Sequence, residues 1–117
     1  MTTTLYGIPN CDTVKKARQW LTQHQIDHVF HDFKKQGIAE ARLQHWIQAV
    51  GLDKLINRQG TTWRKLSDAD KALADDAGTA IGLIQANPSL IKRPVLERGD
   101  AVELGFKEDL YGKAFGR

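Results

Sequence analysis

The sequence predicts an α/β fold built on a mixed sheet, and three observations carry that expectation. Short β-prone runs at Thr3–Tyr6 and His28–Phe33 flank a single amphipathic helical stretch. A block of helical segments follows, and two further β-prone runs then meet at a tight turn before a last short helix. Two strands joined through a helix run parallel with a right-handed crossover, whereas strands joined by a turn run antiparallel. The order β-α-β, helices, β-β-α therefore demands both kinds of pairing in one four-stranded sheet.

Each element has its own local reason. Thr3–Tyr6 is broken by Gly7-Ile8-Pro9-Asn10, and from Asp12 to about Gln23 the apolar residues Val14, Ala17, Trp20 and Leu21 recur at helical spacing. Lys15, Lys16 and Arg18 occupy the other side of that helix. His28–Phe33 alternates and is rich in β-formers, which predicts the second strand. Ala39, Leu43, Trp46, Ile47 and Val50 form a helical stripe that Gly51 terminates. Asn57 to Trp63 reads as an irregular loop around Gly60, and Ser67 caps a helix with Asp68 and Asp70 in its first turn. Gly78-Thr79 opens another helix that stops at Asn87-Pro88. Val95–Glu97 and Ala101–Glu103 flank Arg98-Gly99-Asp100 as a hairpin, and Lys107–Phe115 closes the chain as a helix. Trp20, Leu43, Trp46 and Ile47 are expected in the core.

Composition narrows the function classes. At 117 residues one domain is expected, and a single cysteine, Cys11, can form neither an internal disulfide nor a Cys-only zinc site. No apolar run approaches the 18 or so residues of a membrane span, and the start Met-Thr-Thr-Thr-Leu-Tyr lacks the pattern of a secretory signal. A cytoplasmic protein with no membrane partner is expected. The net charge is +3, but the 17 Lys+Arg are spread out, with only small clusters such as Lys15, Lys16 and Arg18, Lys34 and Lys35, Arg64 and Lys65, and Lys92 and Arg93 among 14 Asp+Glu. No basic arm or stripe emerges, so a small anionic ligand is favoured over direct nucleic-acid binding. His24, His28 and His31 have a metal-like spacing, but two of them would face opposite sides of a strand, so no metal is expected. The loop at Gly60 lacks the phosphate-cradling G-x-x-x-x-G-K-[ST] pattern, and no motif supports a Cys–His pair with His31 or His45.

Cys11 stands between the first strand and the first helix, in the crevice where open α/β sheets bind ligands. Free helix N–H groups there favour an anion, so a thiol should ionise more readily and become a nucleophile. The alternative is a buried cysteine packed as a small hydrophobe. Its polar neighbours Asn10, Asp12 and Thr13 favour the reactive reading, and Lys15 lies one turn along the helix.

Three separated motifs then carry a resemblance. Tyr6-Gly7-Ile8-Pro9-Asn10-Cys11-Asp12-Thr13-Val14-Lys15-Lys16-Ala17, Gly60-Thr61-Thr62-Trp63-Arg64-Lys65-Leu66 and Asn87-Pro88-Ser89-Leu90-Ile91-Lys92-Arg93-Pro94-Val95 together resemble the arsenate reductase (ArsC)/Spx/YffB family. The resemblance spans essentially the whole chain and is nearest to the YffB-type glutathione-dependent thiol reductases. It implies a thioredoxin-like fold over residues 1–117 as a single domain, with a mainly helical insertion at about 38–87. It implies Cys11 as the redox cysteine, Lys15 as a basic partner, and an Arg93-Pro94 pair with a cis proline beside the thiol. Glutathione is implied as co-substrate, with no bound cofactor and no metal. Asn10, Thr13, Lys15, Arg58, Arg93 and Pro94 are the expected residues for binding glutathione, a disulfide or a small oxyanion, with Arg64 as the alternative to Arg58.

The chain also departs from its relatives. Where the arsenate reductases have a histidine four residues before the cysteine, this chain has Gly7, and no third arginine follows the Arg-Pro pair near Leu104-Gly105-Phe106. Val14 stands where Spx regulators have the second cysteine of a C-x-x-C switch, so an internal disulfide switch is impossible. Leu104-Gly105-Phe106-Lys107-Glu108-Asp109 resembles the C-terminal segment of Spx. An Spx-like regulator that binds the RNA polymerase α subunit is therefore the alternative function.

Overall fold

Thr3-Thr4-Leu5-Tyr6-Gly7 forms β1 (Thr3–Gly7), and the alternation of its side chains sends Leu5 and Tyr6 to opposite faces of the sheet. A computed structural model describes residues 2–117. Helix α1 (Asp12–Gln23) follows, burying the expected stripe of Val14, Ala17, Trp20 and Leu21. Strand β2 (Val29–Asp32) leads into the short helix α2 (Phe33–Gln36). Next come α3 (Glu40–Val50), α4 (Leu52–Leu55), α5 (Thr61–Arg64), α6 (Asp68–Ala72) and α7 (Ala77–Ala86). The chain ends with β3 (Val95–Arg98), β4 (Ala101–Leu104) and α8 (Glu108–Phe115).

The described chain divides into two compact units. The first holds the residues up to Phe33 together with Arg93–Arg117. Its sheet has the order β2-β1-β3-β4. β1 and β2 are parallel, with Leu5 opposite Phe30, while β1–β3 and β3–β4 are antiparallel. The sheet is mixed, as the element order requires. On one face Leu5 and Leu96 pack with Ala17, Trp20 and Leu21 of α1 and with Tyr111 of α8. The Trp20 and Tyr111 rings meet edge to face at 5.6 Å. On the other face the Tyr6 hydroxyl donates to the buried Glu97 carboxylate at 3.1 Å, which offsets the cost of burying both polar groups.

The second unit, Lys34–Lys92, is helical. Helix α3 packs on α7; Leu43 and Trp46 of α3 and Ala80, Ile81, Leu83 and Ile84 of α7 are buried, while Ile47 is half-buried. Gly51 ends α3 at φ +90°, a conformation that favours glycine. Segment 55–57 is laced to 90–92: Asn57 N–H donates to the Leu90 carbonyl and Lys92 N–H to the Leu55 carbonyl, both at 2.8 Å.

Several expectations shift in detail, and Gly7 and Arg98 each pair within a strand rather than joining the turn beside it. The second strand is shorter than His28–Phe33, because the fully buried Phe33 turns inward to open α2 and His28 stays in the connection before the strand, its Nδ1 2.9 Å from the Ile26 carbonyl. The Asn57–Trp63 loop ends in a helical turn, α5, after Asn57 Oδ1 accepts the Gln59 N–H at 3.1 Å. Helix α7 begins one residue before Gly78, because the Asp76 carboxylate caps it by accepting the Thr79 N–H at 3.3 Å. Ser67 caps α6 as expected, its Oγ accepting the Asp70 N–H at 3.1 Å. Among the described residues no helix is long and apolar enough to cross a membrane.

Candidate active site

The break after β1 delivers Cys11 to the start of α1. Cys11 N–H donates to the Ile8 carbonyl at 3.2 Å, closing a turn over Pro9-Asn10, and the Cys11 carbonyl accepts the Lys15 N–H at 2.9 Å. Cys11 is thus the N-cap, with extended backbone at φ −90° and ψ 126°. The first N–H groups of a helix have no partner within it. Here those of Thr13 and Val14 face the half-buried thiol. The thiol completes no capping hydrogen bond, but the charged form is drawn to these donors.

Arg93 reaches the same place from the far end of the sequence. Strand β3 pairs antiparallel with β1, setting Val95 opposite Tyr6. That register brings the residues preceding Val95 alongside the end of β1 and therefore to Cys11. The Arg93-Pro94 peptide bond is cis, as the resemblance implies, and the Pro94 carbonyl accepts the Gly105 N–H at 2.8 Å. Partial burial by itself pushes the Cys11 thiol up. The Val14 N–H, a hydrogen bond from Arg93, the Thr13 N–H and the Arg93 charge together outweigh it, and the thiol falls below its ordinary range.

Cys11, Thr13, Arg93 and Pro94 are therefore brought together within the first unit. Asn10 is exposed in the turn before Cys11, and Lys15 is exposed on α1; the cation acting on the sulfur is Arg93. Arg58 belongs to the helical unit. Its guanidinium pairs with Asp53 at 3.2 Å and stacks on Trp63 at 4.8 Å. Asp53 is 93% exposed, so that ion pair contributes little by itself. Arg64 donates to the Gln59 carbonyl.

His24, His28 and His31 are otherwise engaged. His24 stacks on Trp20 at 4.0 Å, with Nδ1 2.8 Å from the Trp20 carbonyl. Among the described residues no group of three His, Cys, Asp or Glu side chains could hold a metal ion. The Val14 N–H is the contribution that reading the sequence missed. Val14 registers there only as part of the apolar stripe, and no side-chain signal marks a backbone donor.

These features define a thioredoxin-like protein: a mixed four-stranded sheet, one thiol at the start of the first helix, and an arginine with a cis-proline just before the strand beside β1. More particularly, the chain belongs to the ArsC family, whose model matches residues 6–114. The solved structure of the YffB protein is 50% identical, with a TM-score of 0.90 over 97% of this chain and 98% of that one. An uncharacterized protein of Haemophilus influenzae is 42% identical over 112 residues, or 96% of this chain and 97% of that protein. The global transcriptional regulator Spx of Streptococcus pneumoniae is 28% identical over 108 residues, or 91% of this chain and 80% of the regulator. The resemblance carried by the three motifs is thus upheld.

Proposed function

We propose that the protein is a monothiol oxidoreductase, a glutathione-dependent thiol/disulfide reductase of the arsenate reductase-like kind, with Cys11 as its nucleophile. The observation that supports this most is the thiol at the start of α1, where two helix N–H groups and Arg93 favour the thiolate. The thiolate attacks one sulfur of a disulfide. A bond forms between Cys11 Sγ and that sulfur, the original S–S bond breaks, and its electron pair leaves on the other sulfur as a thiolate. With one cysteine in the chain, a thiol from solution must then attack the mixed disulfide and return Cys11 as thiolate.

Glutathione suits that second role as a co-substrate in the reducing cytoplasm. Arg93 and Lys15 would hold its carboxylates, with Asn10, Thr13 and Pro94 beside its cysteine. A shallow groove of about 560 Å³ along α1, lined in part by Thr13, Lys16, Trp20, Phe106 and Lys107, offers room for the rest of the tripeptide. The test is the intact mass after incubation with glutathione disulfide. One glutathione per chain is expected, released by excess thiol and absent from Cys11→Ser. No adduct under conditions that load a glutaredoxin control would overturn the reading.

The similarity to Spx favours a second reading, a transcriptional regulator that binds RNA polymerase. Stable capture of the polymerase α subunit's C-terminal domain, undiminished in Cys11→Ser, would select it.

A further inference from the structure

Gly7 ends β1, and its backbone is not in the left-handed region that calls for glycine. Space explains the residue instead. A Cβ at position 7 would stand 2.7 Å from Val14 Cγ2, 3.1 Å from Cγ1 and 3.5 Å from Cβ. Nonbonded carbons rest at about 3.5–4.0 Å, so a methyl group there overlaps Val14 by about 0.8 Å. Val14 cannot turn aside. It is fully buried, and a valine in a helix holds one dominant rotamer. Gly7 is itself fixed by the ladder to β2, where it pairs with Asp32. The first turn of α1 would have to give way, and that turn carries the Val14 N–H that helps hold the Cys11 thiolate.

We infer that Gly7 is a positioning residue of the thiol site: its missing side chain lets the first turn of α1 close onto the end of β1, which sets the Val14 N–H against Cys11. The inference rests on Cys11 being the nucleophile. It also explains why this chain has no place for a larger side chain four residues before its cysteine, whatever substrate the site takes.

The test is a comparison of thiolate absorbance and alkylation rate against pH in wild type, Gly7→Ala, Val14→Ala and the double variant. Gly7→Ala should lose about fivefold of its thiolate at a pH below the titration, the effect of one weakened hydrogen bond to a charged group. Val14→Ala keeps the backbone N–H and serves as the reference against which the double variant is read. The double variant removes both Cγ methyl groups, leaving only the ordinary 3.5 Å contact, and should return to within about twofold of Val14→Ala. An unchanged titration in folded Gly7→Ala, or a double variant as far from Val14→Ala as Gly7→Ala is from wild type, overturns the inference. If Gly7→Ala does not fold, the double variant must fold and titrate as Val14→Ala does; failure of either overturns it too. A wild-type thiol with an ordinary titration would instead overturn the reading of Cys11 itself, and with it this role for Gly7.

Discussion

Replacing Arg93 with methionine removes the guanidinium while keeping most of the side chain's length and apolar stem. Arg93 acts on Cys11 twice, by a hydrogen bond and by its charge, while partial burial pushes the thiol the other way. A hydrogen bond to a charged group contributes about 1.5–3 kcal/mol when shielded. Cys11 is only half-buried, and solvent screening reduces the combined effect to about 1 kcal/mol. That is about a fivefold drop in the thiolate-to-thiol ratio at pH below both titrations. The rate of alkylation falls less. A more basic thiolate is a better nucleophile, with a Brønsted slope of about 0.4–0.5, so each remaining thiolate reacts about twofold faster and the net slowing is about 2.5-fold. Above both titrations every molecule is thiolate and the order inverts, with Arg93→Met about twofold faster than wild type. Iodoacetamide rates from acid to alkaline pH, alongside ultraviolet thiolate absorbance, give the two curves. Crossing profiles are expected. Superimposed profiles, or a variant slower at every pH, would refute the electrostatic account of Arg93.

Three other outcomes follow from the same geometry. The thiolate is favoured in the folded state, so Cys11 contributes stability that is complete above the ordinary thiol value of 9.0 and is lost as pH falls through the lower folded titration; urea melts of wild type minus Cys11→Ser should show that difference growing with pH, and a flat difference would count against it. Leu96→Ala empties a fully buried position between Leu5 and Tyr111 and should cost about 2–5 kcal/mol, read as a lower denaturation midpoint with an unchanged slope. Ser67→Ala removes the cap of an exposed helix, where a loss of about 1 kcal/mol or less is expected by the same melts, and a larger loss would mean that α6 supports more of the helical unit than its cap.

Helix α1 was legible residue for residue, because its apolar stripe and the break before it at Ile8-Pro9-Asn10 are properties of neighbouring residues. The hairpin of β3 and β4 was legible for the same reason, since Gly99-Asp100 encodes its turn locally, although Arg98 pairs with Ala101 in the strands rather than joining the turn. The end of β2 was not. Phe33 is as strong a β-former as Phe30, and only the tertiary structure shows it fully buried at the start of α2 instead. In the site, Cys11 announced itself as the lone thiol before a helix, and the Arg93-Pro94 pair came through resemblance rather than through any local physical signal. For Arg58, the contacts that the structure gives, with Asp53 and Trp63, depend on how the loop from Asn57 to Arg64 folds, which no local signal encodes.

The sequence by itself determined the chemistry on offer and the order of elements: one thiol, placed where helix N–H groups gather, in a chain that can resolve a mixed disulfide only with a thiol from outside. Local rules suffice for that, because capping, periodicity and turn formation involve residues a few positions apart. The tertiary structure alone decided what surrounds the sulfur. The β1–β3 register carries Arg93 to Cys11 from the other end of the chain, and the packing of α1 on β1 leaves Gly7 no room for a side chain against Val14. Those contacts depend on strand pairing and close packing between residues far apart in sequence or on different elements, and no short-range pattern encodes them.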